Sequence, residues 1–344
     1  MPTDPSVPGE GAAAPYAGLT PDAILDALDA AGFEPDGRLL ALNSYENRVW
    51  QVGIDQAAPV IVKFYRPGRW SDAAILEEHA FVRQLADAEI PAVPAIEVAG
   101  TTLHTHQGFR FAVFPRCGGR GPELDRPDTL TWLGRFVGRI HAVGATQPYQ
   151  ARPYLNIESF GVAPRDWLLA QSCIPRELLP AWQAAADLAL EGVRRCYDRA
   201  GDVGMLRLHG DCHRGNVLWI DEADARTGTP GPHFVDFDDS RMGPAVQDLW
   251  MLLEGDRAAM QSQLADVLAG YEDFADFNPR ELYLIEALRT LRLLHYSAWL
   301  ASRWDDPAFP AAFPWFGTDR YWQDRILELR EQIALMDEPP LWPV

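Results

Sequence analysis

The sequence predicts an α+β chain with a strand-rich first third and a mainly helical remainder. Three observations carry that expectation. Before Pro115, runs such as 49–52, 60–65 and 111–114 are dense in β-branched and aromatic residues and are punctuated by Gly, Pro and Asn. From Asp128 onward, apolar residues recur at helical spacing, as in Leu130, Leu133, Val137 and Ile140. Between Leu208 and Asp239, two short apolar runs, 216–220 and 234–237, flank a polar insert over 221–232 that carries Gly and Pro, so the pair reads as a hairpin. The expected division is a flexible tail over 1–18, a first lobe over 19–116 and a second over 117–344.

The totals narrow the class. The 344 residues suffice for two lobes with ample core. Lys and Arg number 30 against 49 Asp and Glu, a formal net charge of −19, which disfavours nucleic acid and anionic membrane surfaces as partners. No apolar run approaches the length of a membrane span, and the start Met-Pro-Thr-Asp-Pro-Ser lacks the basic and apolar regions of a secretory signal; a cytoplasmic, monomeric protein is expected. The four cysteines show no Cys-x-x-Cys spacing, against a zinc site or disulfide scaffold. Cys212 is notable only as the neighbour of Asp211, where oxidation of a reactive thiol would disturb the loop.

Along the chain, Thr20 and Pro21 open a helix that Gly32 closes. Residues 39–54 read as a hairpin around Asn43-Ser-Tyr-Glu-Asn-Arg48. Lys63 stands inside the apolar strand Val-Ile-Val-Lys-Phe-Tyr; a buried ammonium is costly unless paired, so it has either a phosphate to meet or an edge to protect. A helix follows over 71–89 with Ser71 or Asp72 as cap, and Glu77 or Glu78, preferably Glu78, would hold Lys63. Residues 101–115 form two strands turning at Gln107-Gly108, and the Gly-rich segment after them suits a hinge whose backbone could bond adenine. Helices are expected from Asp128, over 165–171, over 178–200, after Gly243, over 279–304 and over 319–336. His141, with no partner motif nearby, reads as a core histidine. The aromatic and acidic stretch 304–322 reads as packing, or as an acceptor groove for cations.

The hairpin carries the chemistry. His209-Gly-Asp211 precedes Asn216 by the spacing His-x-Asp-x-x-x-x-Asn, and Asp236 closes the second run. Folding the two runs together brings Asp211, Asn216 and Asp236 to one end. A carboxylate that accepts a hydroxyl proton, beside an amide and a carboxylate that hold Mg²⁺, is what phosphoryl transfer requires. The loop after Leu42 has no glycine, so its backbone N–H groups and the Ser44 hydroxyl would cover the phosphates instead of a Gly-rich loop.

These residues resemble a known family. His209-Gly-Asp-Cys-His-Arg-Gly-Asn216 and Phe234-Val-Asp-Phe-Asp-Asp239 look like the active-site motifs of the aminoglycoside-phosphotransferase-like kinase superfamily. The longer Asp236-Phe-Asp-Asp-Ser-Arg-Met-Gly-Pro-Ala-Val-Gln-Asp248-Leu-Trp closely resembles the stress response kinase A family, over most of the chain. The resemblance implies a bilobal protein-kinase-like fold, ATP as donor, Mg²⁺ as cofactor and a protein Ser or Thr as acceptor. It implies Asp211 and Asp236 as catalytic residues, Asn216 and Asp236 on the metal, Ser44, Lys63 and Glu78 at the nucleotide, and Asp248 as a brace for the catalytic loop. Two alternatives stay open: a kinase of a small cationic amine, aminoglycoside or amino alcohol, and a nucleotide-binding scaffold without turnover.

Overall fold

The structure, a computed structural model, describes residues 15–221 and 230–343. Helix α1 spans Pro21–Ala30, and the N–H of Ala23 donates to the Thr20 hydroxyl at 3.2 Å as the cap spacing predicts. Strands β1 (Pro35–Ala41), β2 (Arg48–Ile54) and β3 (Val60–Phe64) follow, then α2 (Asp72–Asp87) capped by Ser71, then β4 (His104–His106) and β5 (Phe109–Pro115). They form an antiparallel sheet in the order β1-β2-β3-β5-β4. The β4–β5 turn is the two-residue kind, with Gln107 and Gly108 both at positive φ. Val52, Val62, Phe64 and Val113 pack with Ile24 and Leu28 of α1 into a core closed to solvent. Strand β3 is internal, so Lys63 does not guard an edge; it lies opposite Val49 on β2 and Ala112 on β5.

The expected tail over 1–18 lies partly outside the described residues. Its end is anchored: the Tyr16 hydroxyl donates to the carbonyls of Glu46 at 3.0 Å and Phe64 at 3.3 Å, and the Arg48 guanidinium lies over its ring. A half-buried phenol whose single O–H is shared between two carbonyls tethers this end locally.

Helices α3 (Pro127–Gly144), α4 (Ala163–Ala170) and α5 (Leu179–Ala200) follow, then the short strand β6 (Leu206–Arg207). Asp128 sits in the first turn of α3 rather than capping it, because Pro127 already supplies the first helical position. The hairpin is β7 (Val217–Ile220) with β8 (Gly231–Phe234), in register Val217↔Phe234 to Ile220↔Gly231. Most of its insert, 222–229, lies outside the described residues. The second strand falls earlier than the expected 234–237: the backbone of Asp236 has φ 60°, which ends the ladder, and Phe237–Asp239 is a 3₁₀ turn. Strand β9 (Met242–Gly243) pairs with β6, and α6 (Val246–Trp250) begins at once, so only a 3₁₀ turn and a two-residue strand separate Asp236 from that helix.

Helix α7 (Arg257–Tyr271) was not legible as an element. It packs on α3 at backbone distance: a Cβ on Gly134 would stand 2.0 Å from the Val267 carbonyl oxygen, and one on Gly270 2.0 Å from that of Thr131. Glycines make this close contact, and α7 also buries Leu264, Val267, Leu268 and Tyr271. The expected helix over 279–304 is a 3₁₀ segment, Pro279–Leu284, leading into α8 (Ile285–Ala301). Helices α9 (Ala308–Ala312) and α10 (Asp319–Asp337) complete the order.

The chain forms two compact units and does not divide at one cut after residue 116. The first unit holds the described residues up to Gly121 together with Gly215–Asp238 and Asp305–Ala308; the second holds Pro122–Arg214, Asp239–Trp304 and Phe309 onward. The hairpin joins the first unit through backbone bonds. Phe234 pairs with Pro91 and Val93, and Trp219 pairs with Arg120. Phe81 of α2 also meets the Phe237 ring edge-on. No helix among the described residues is long and apolar enough to cross a membrane.

Candidate active site

In the first unit, the Lys63 ammonium is 6% exposed and stands 2.8 Å from Oδ1 of Asp236 and 3.3 Å from Oδ1 of Asp238. Burial alone would push its pKa down, but the carboxylates of Asp236, Asp238 and Glu78 outweigh it and hold the ammonium protonated well above the usual lysine range. Glu78 is the buried acid of α2, whereas Glu77 is half-exposed. Its charge supports Lys63, but behind those of Asp236 and Asp238, which make the direct ion pairs.

Asp236 is held in the left-handed region. Asp tolerates that conformation better than most residues, yet it still costs on the order of 1 kcal/mol, which the flanking pairs must offset. The turn aims its carboxylate at Lys63 while leaving the side chain about half-exposed. Asn216, at the end of a 3₁₀ turn over Arg214–Asn216, is drawn to the same end of the hairpin because its carbonyl accepts the N–H of Val235 at 3.0 Å. One carboxylate and one amide oxygen are hard donors that suit Mg²⁺, an ion that keeps several of its waters, so the residues fit the implied metal.

Nothing in the sequence pattern gives Asp238 a role, yet it is tied to three side chains of this unit. It is buried, accepts from Asn47 Nδ2 at 3.1 Å and pairs with Arg69 and Lys63. Asn47 in turn accepts the N–H of Arg66 at 3.1 Å, so it links the loop after β1 both to the end of β3 and to Asp238 beyond the hairpin. Ser44 lies in that loop, but its hydroxyl donates to the Asn47 carbonyl and accepts the N–H of Val49, both at 3.1 Å. It shapes the turn. Of the three acids in the aromatic stretch that reads as a cation binder, Asp306 is buried and paired with Arg48 and Arg66, while Asp305 and Asp319 are exposed.

In the second unit, Asp211 is a largely buried carboxylate. Arg292 of α8 stands 2.9 Å from Oδ1, and His213 Nε2 stands 3.4 Å from Oδ2. Burial raises its pKa, but the His213 and Arg292 contacts outweigh that and hold it below the usual carboxylate range, so it is ionised at neutral pH. The loop is braced from beneath. Asp248, fully buried in the first turn of α6, accepts the N–H of His209 at 2.8 Å and of Gly210 at 2.9 Å. His141 is structural as expected, but it does have a partner: Nε2 meets Asp248 at 3.0 Å and Nδ1 meets the Tyr271 hydroxyl at 3.0 Å. Cys212 is buried and burial drives its thiol pKa well up, so it is an inert packing residue. In the aromatic stretch Phe309, Phe316 and Trp322 are buried, while Trp315 is exposed.

A paired lysine with an amide and a carboxylate at one hairpin end, and, five positions before that amide in the sequence, an ionised aspartate, are the residue types that phosphoryl transfer uses. The model of the phosphotransferase enzyme family matches residues 38–285. Stress response kinase A of Escherichia coli (strain K12) is 45% identical over 323 residues, 94% of this chain and 95% of that one. The serine/threonine protein kinase RdoA of Salmonella typhimurium (strain LT2) is 43% identical over the same shares. Among solved structures, an amicoumacin kinase in complex with AMP-PNP, Ca²⁺ and amicoumacin superposes with TM-score 0.69 at 19% identity, over 94% of this chain and 95% of that chain. A microcompartment-associated aminopropanol kinase gives 0.67 at 18%, over 91% and 96%. The chain belongs to the stress response kinase A family, within the phosphotransferase enzyme family, and has the bilobal kinase-like fold of that family. It is a kinase.

Proposed function

We propose that this kinase uses ATP and Mg²⁺ to phosphorylate Ser or Thr hydroxyls of proteins, in the cytoplasm and as part of a stress response. The observation that carries the reading is the 43% identity, along nearly the full length, to a relative named as a serine/threonine protein kinase. Lys63 is charged and available to the donor phosphates, Glu78 supports it, and the backbone of the loop around Ser44 covers them. The segment following β5 offers backbone to adenine. Mg²⁺, held by Asn216 and Asp236, neutralises phosphate charge when bound. Asp211 orients the acceptor hydroxyl and takes its proton. As the acceptor oxygen bonds to the γ-phosphorus, the bond to the bridging oxygen breaks and ADP departs. Positioning and charge supply the catalysis.

The fold neighbours are kinases of small molecules, but at 18–19% identity they speak to the fold alone. The test is transfer from labelled ATP with Mg²⁺ to a generic Ser/Thr protein acceptor, to the kinase itself, and to a panel of amines and amino alcohols. Label on Ser or Thr of protein is expected. Label confined to a small molecule would overturn the protein-acceptor reading.

A further inference from the structure

The cation set directly against Asp211 in the second unit, Arg292, is of the wrong sign for a cationic acceptor. Arg292 lies against one oxygen and His213 beside the other; both side chains are 42% exposed, within reach of a second molecule. Beyond Glu286, which is paired with Arg289 at 3.2 Å, the charged residues of α8 are all basic. One stripe of this helix continues from Arg292 to Tyr296 and Trp299, whose rings stack at 5.5 Å, and the guanidinium of Arg303 lies 5.6 Å over Trp299. The nearby acid, Asp239, is paired with Arg241. His295, half-buried and stacked on Phe160, has its pKa driven down to about 3, first by burial and then by Arg241, against Asp239, with Arg303 and Arg292 adding to the fall.

An ammonium on the acceptor would meet the Arg292 guanidinium as a like charge, a juxtaposition that rejects a partner most strongly where solvent is excluded. A carboxylate beside the acceptor hydroxyl would instead take Arg292 as a forked partner and leave Asp211 to the hydroxyl. The chain's net charge of −19 repels an acidic peptide at long range, so the recognition has to be local, by contact. We infer that Arg292 is a specificity-determining residue that selects Ser or Thr flanked by acidic side chains in an extended peptide segment laid along the basic and aromatic stripe of α8. This rests on the protein-acceptor reading above.

The test compares two synthetic peptides, identical except that the Ser is flanked by Glu in one and by Lys in the other, with a panel of small amines alongside. The wild-type kinase is expected to prefer the Glu peptide at least about tenfold in kcat/KM, the size of effect that a contact worth roughly 1.4 kcal/mol produces. Arg292→Gln should reduce that ratio several-fold, chiefly through KM for the Glu peptide, and Arg292→Lys should restore part of it. The thermal midpoint and the KM for ATP act as controls for folding. Equal use of both peptides by the wild type would overturn the inference while leaving the protein-acceptor reading intact, as would an unchanged ratio in Arg292→Gln. Labelling of an amine and of neither peptide would remove both.

Discussion

Gly210 donates its N–H to Oδ1 of Asp248 at 2.9 Å, with its own backbone at φ 88°, and a Cβ added to it would stand 2.1 Å from the Asp239 carbonyl oxygen. The residue next to the candidate base is thus pinned by a buried carboxylate on one side and by backbone on the other. Gly210→Ala should combine left-handed strain with a backbone clash and cost more than about 1 kcal/mol of stability. It should lower turnover far more than it changes the KM for ATP. Turnover near the wild-type value would show that the loop tolerates displacement.

Asp248→Ala removes the acceptor of two buried N–H groups and of His141. Each group left without a partner costs roughly 1–3 kcal/mol, so a loss of several kcal/mol is expected, together with reduced turnover. Asp248→Asn keeps one acceptor oxygen and should fall between. Chemical denaturation of the three proteins checks the order, and an Ala variant as stable as the wild type would contradict it.

Lys63→Ala should be destabilising as well as inactive, because Asp238 stays buried with the Arg69 guanidinium and the Asn47 amide but without its ammonium. Since Asp238 keeps those partners, the loss should fall below the roughly 3–5 kcal/mol that follows when a buried charge loses its partner outright. If the cost comes from stranded charge, Lys63→Ala combined with Asp238→Asn should recover part of the stability and none of the activity. Additive losses in the double variant would argue that packing, not charge, is at stake.

Glu281 gives a pH dependence. It is buried, with Oε2 accepting the Val246 N–H at 2.9 Å, and burial pushes its pKa up to about 7. Since the folded value lies above the unfolded value near 4.5, the folded state holds the proton longer. The contribution of Glu281 to stability is therefore greatest at low pH, declines as pH rises through that window, and levels off above about 7. Glu281→Gln keeps an acceptor oxygen without the charge. Its stability relative to the wild type should improve from pH 5 to pH 8 by a few kcal/mol at most, because each pH unit separating the folded and unfolded values is worth roughly 1.4 kcal/mol. Thermal unfolding at the two pH values tests it; a difference that stays constant would refute the assignment.

What the sequence makes legible is local. Thr20 and Ser71 announce helices through their own hydroxyls, and Lys63 in an apolar strand is conspicuous within six residues. The sequence spacing of His209, Asp211 and Asn216 sits on one short loop. What stays hidden depends on distant partners. The bond between His141 and Asp248 joins residues 107 apart, and nothing in Gly-Arg-Ile-His-Ala marks it. Arg292 is one arginine among several on α8 until the fold brings it to Asp211. Asp238 looks like a spare acid after Asp236, and only the left-handed turn at Asp236 sends one carboxylate outward and the next into the core. Helix α7 buries Leu264, Val267, Leu268 and Tyr271 at helical spacing, a signal present in the sequence, whereas its glycine contacts with α3 leave no mark there.

The central claim is that Asp211 takes the acceptor proton while a separate set of residues holds the nucleotide. The most direct measurement is phosphoryl transfer by Asp211→Ala beside its ATP affinity, measured by titration calorimetry with Mg²⁺. The account predicts ATP binding within a few-fold of the wild type and turnover reduced at least about a hundredfold, the low end for loss of a general base. Near-normal turnover in a folded Asp211→Ala protein would contradict it.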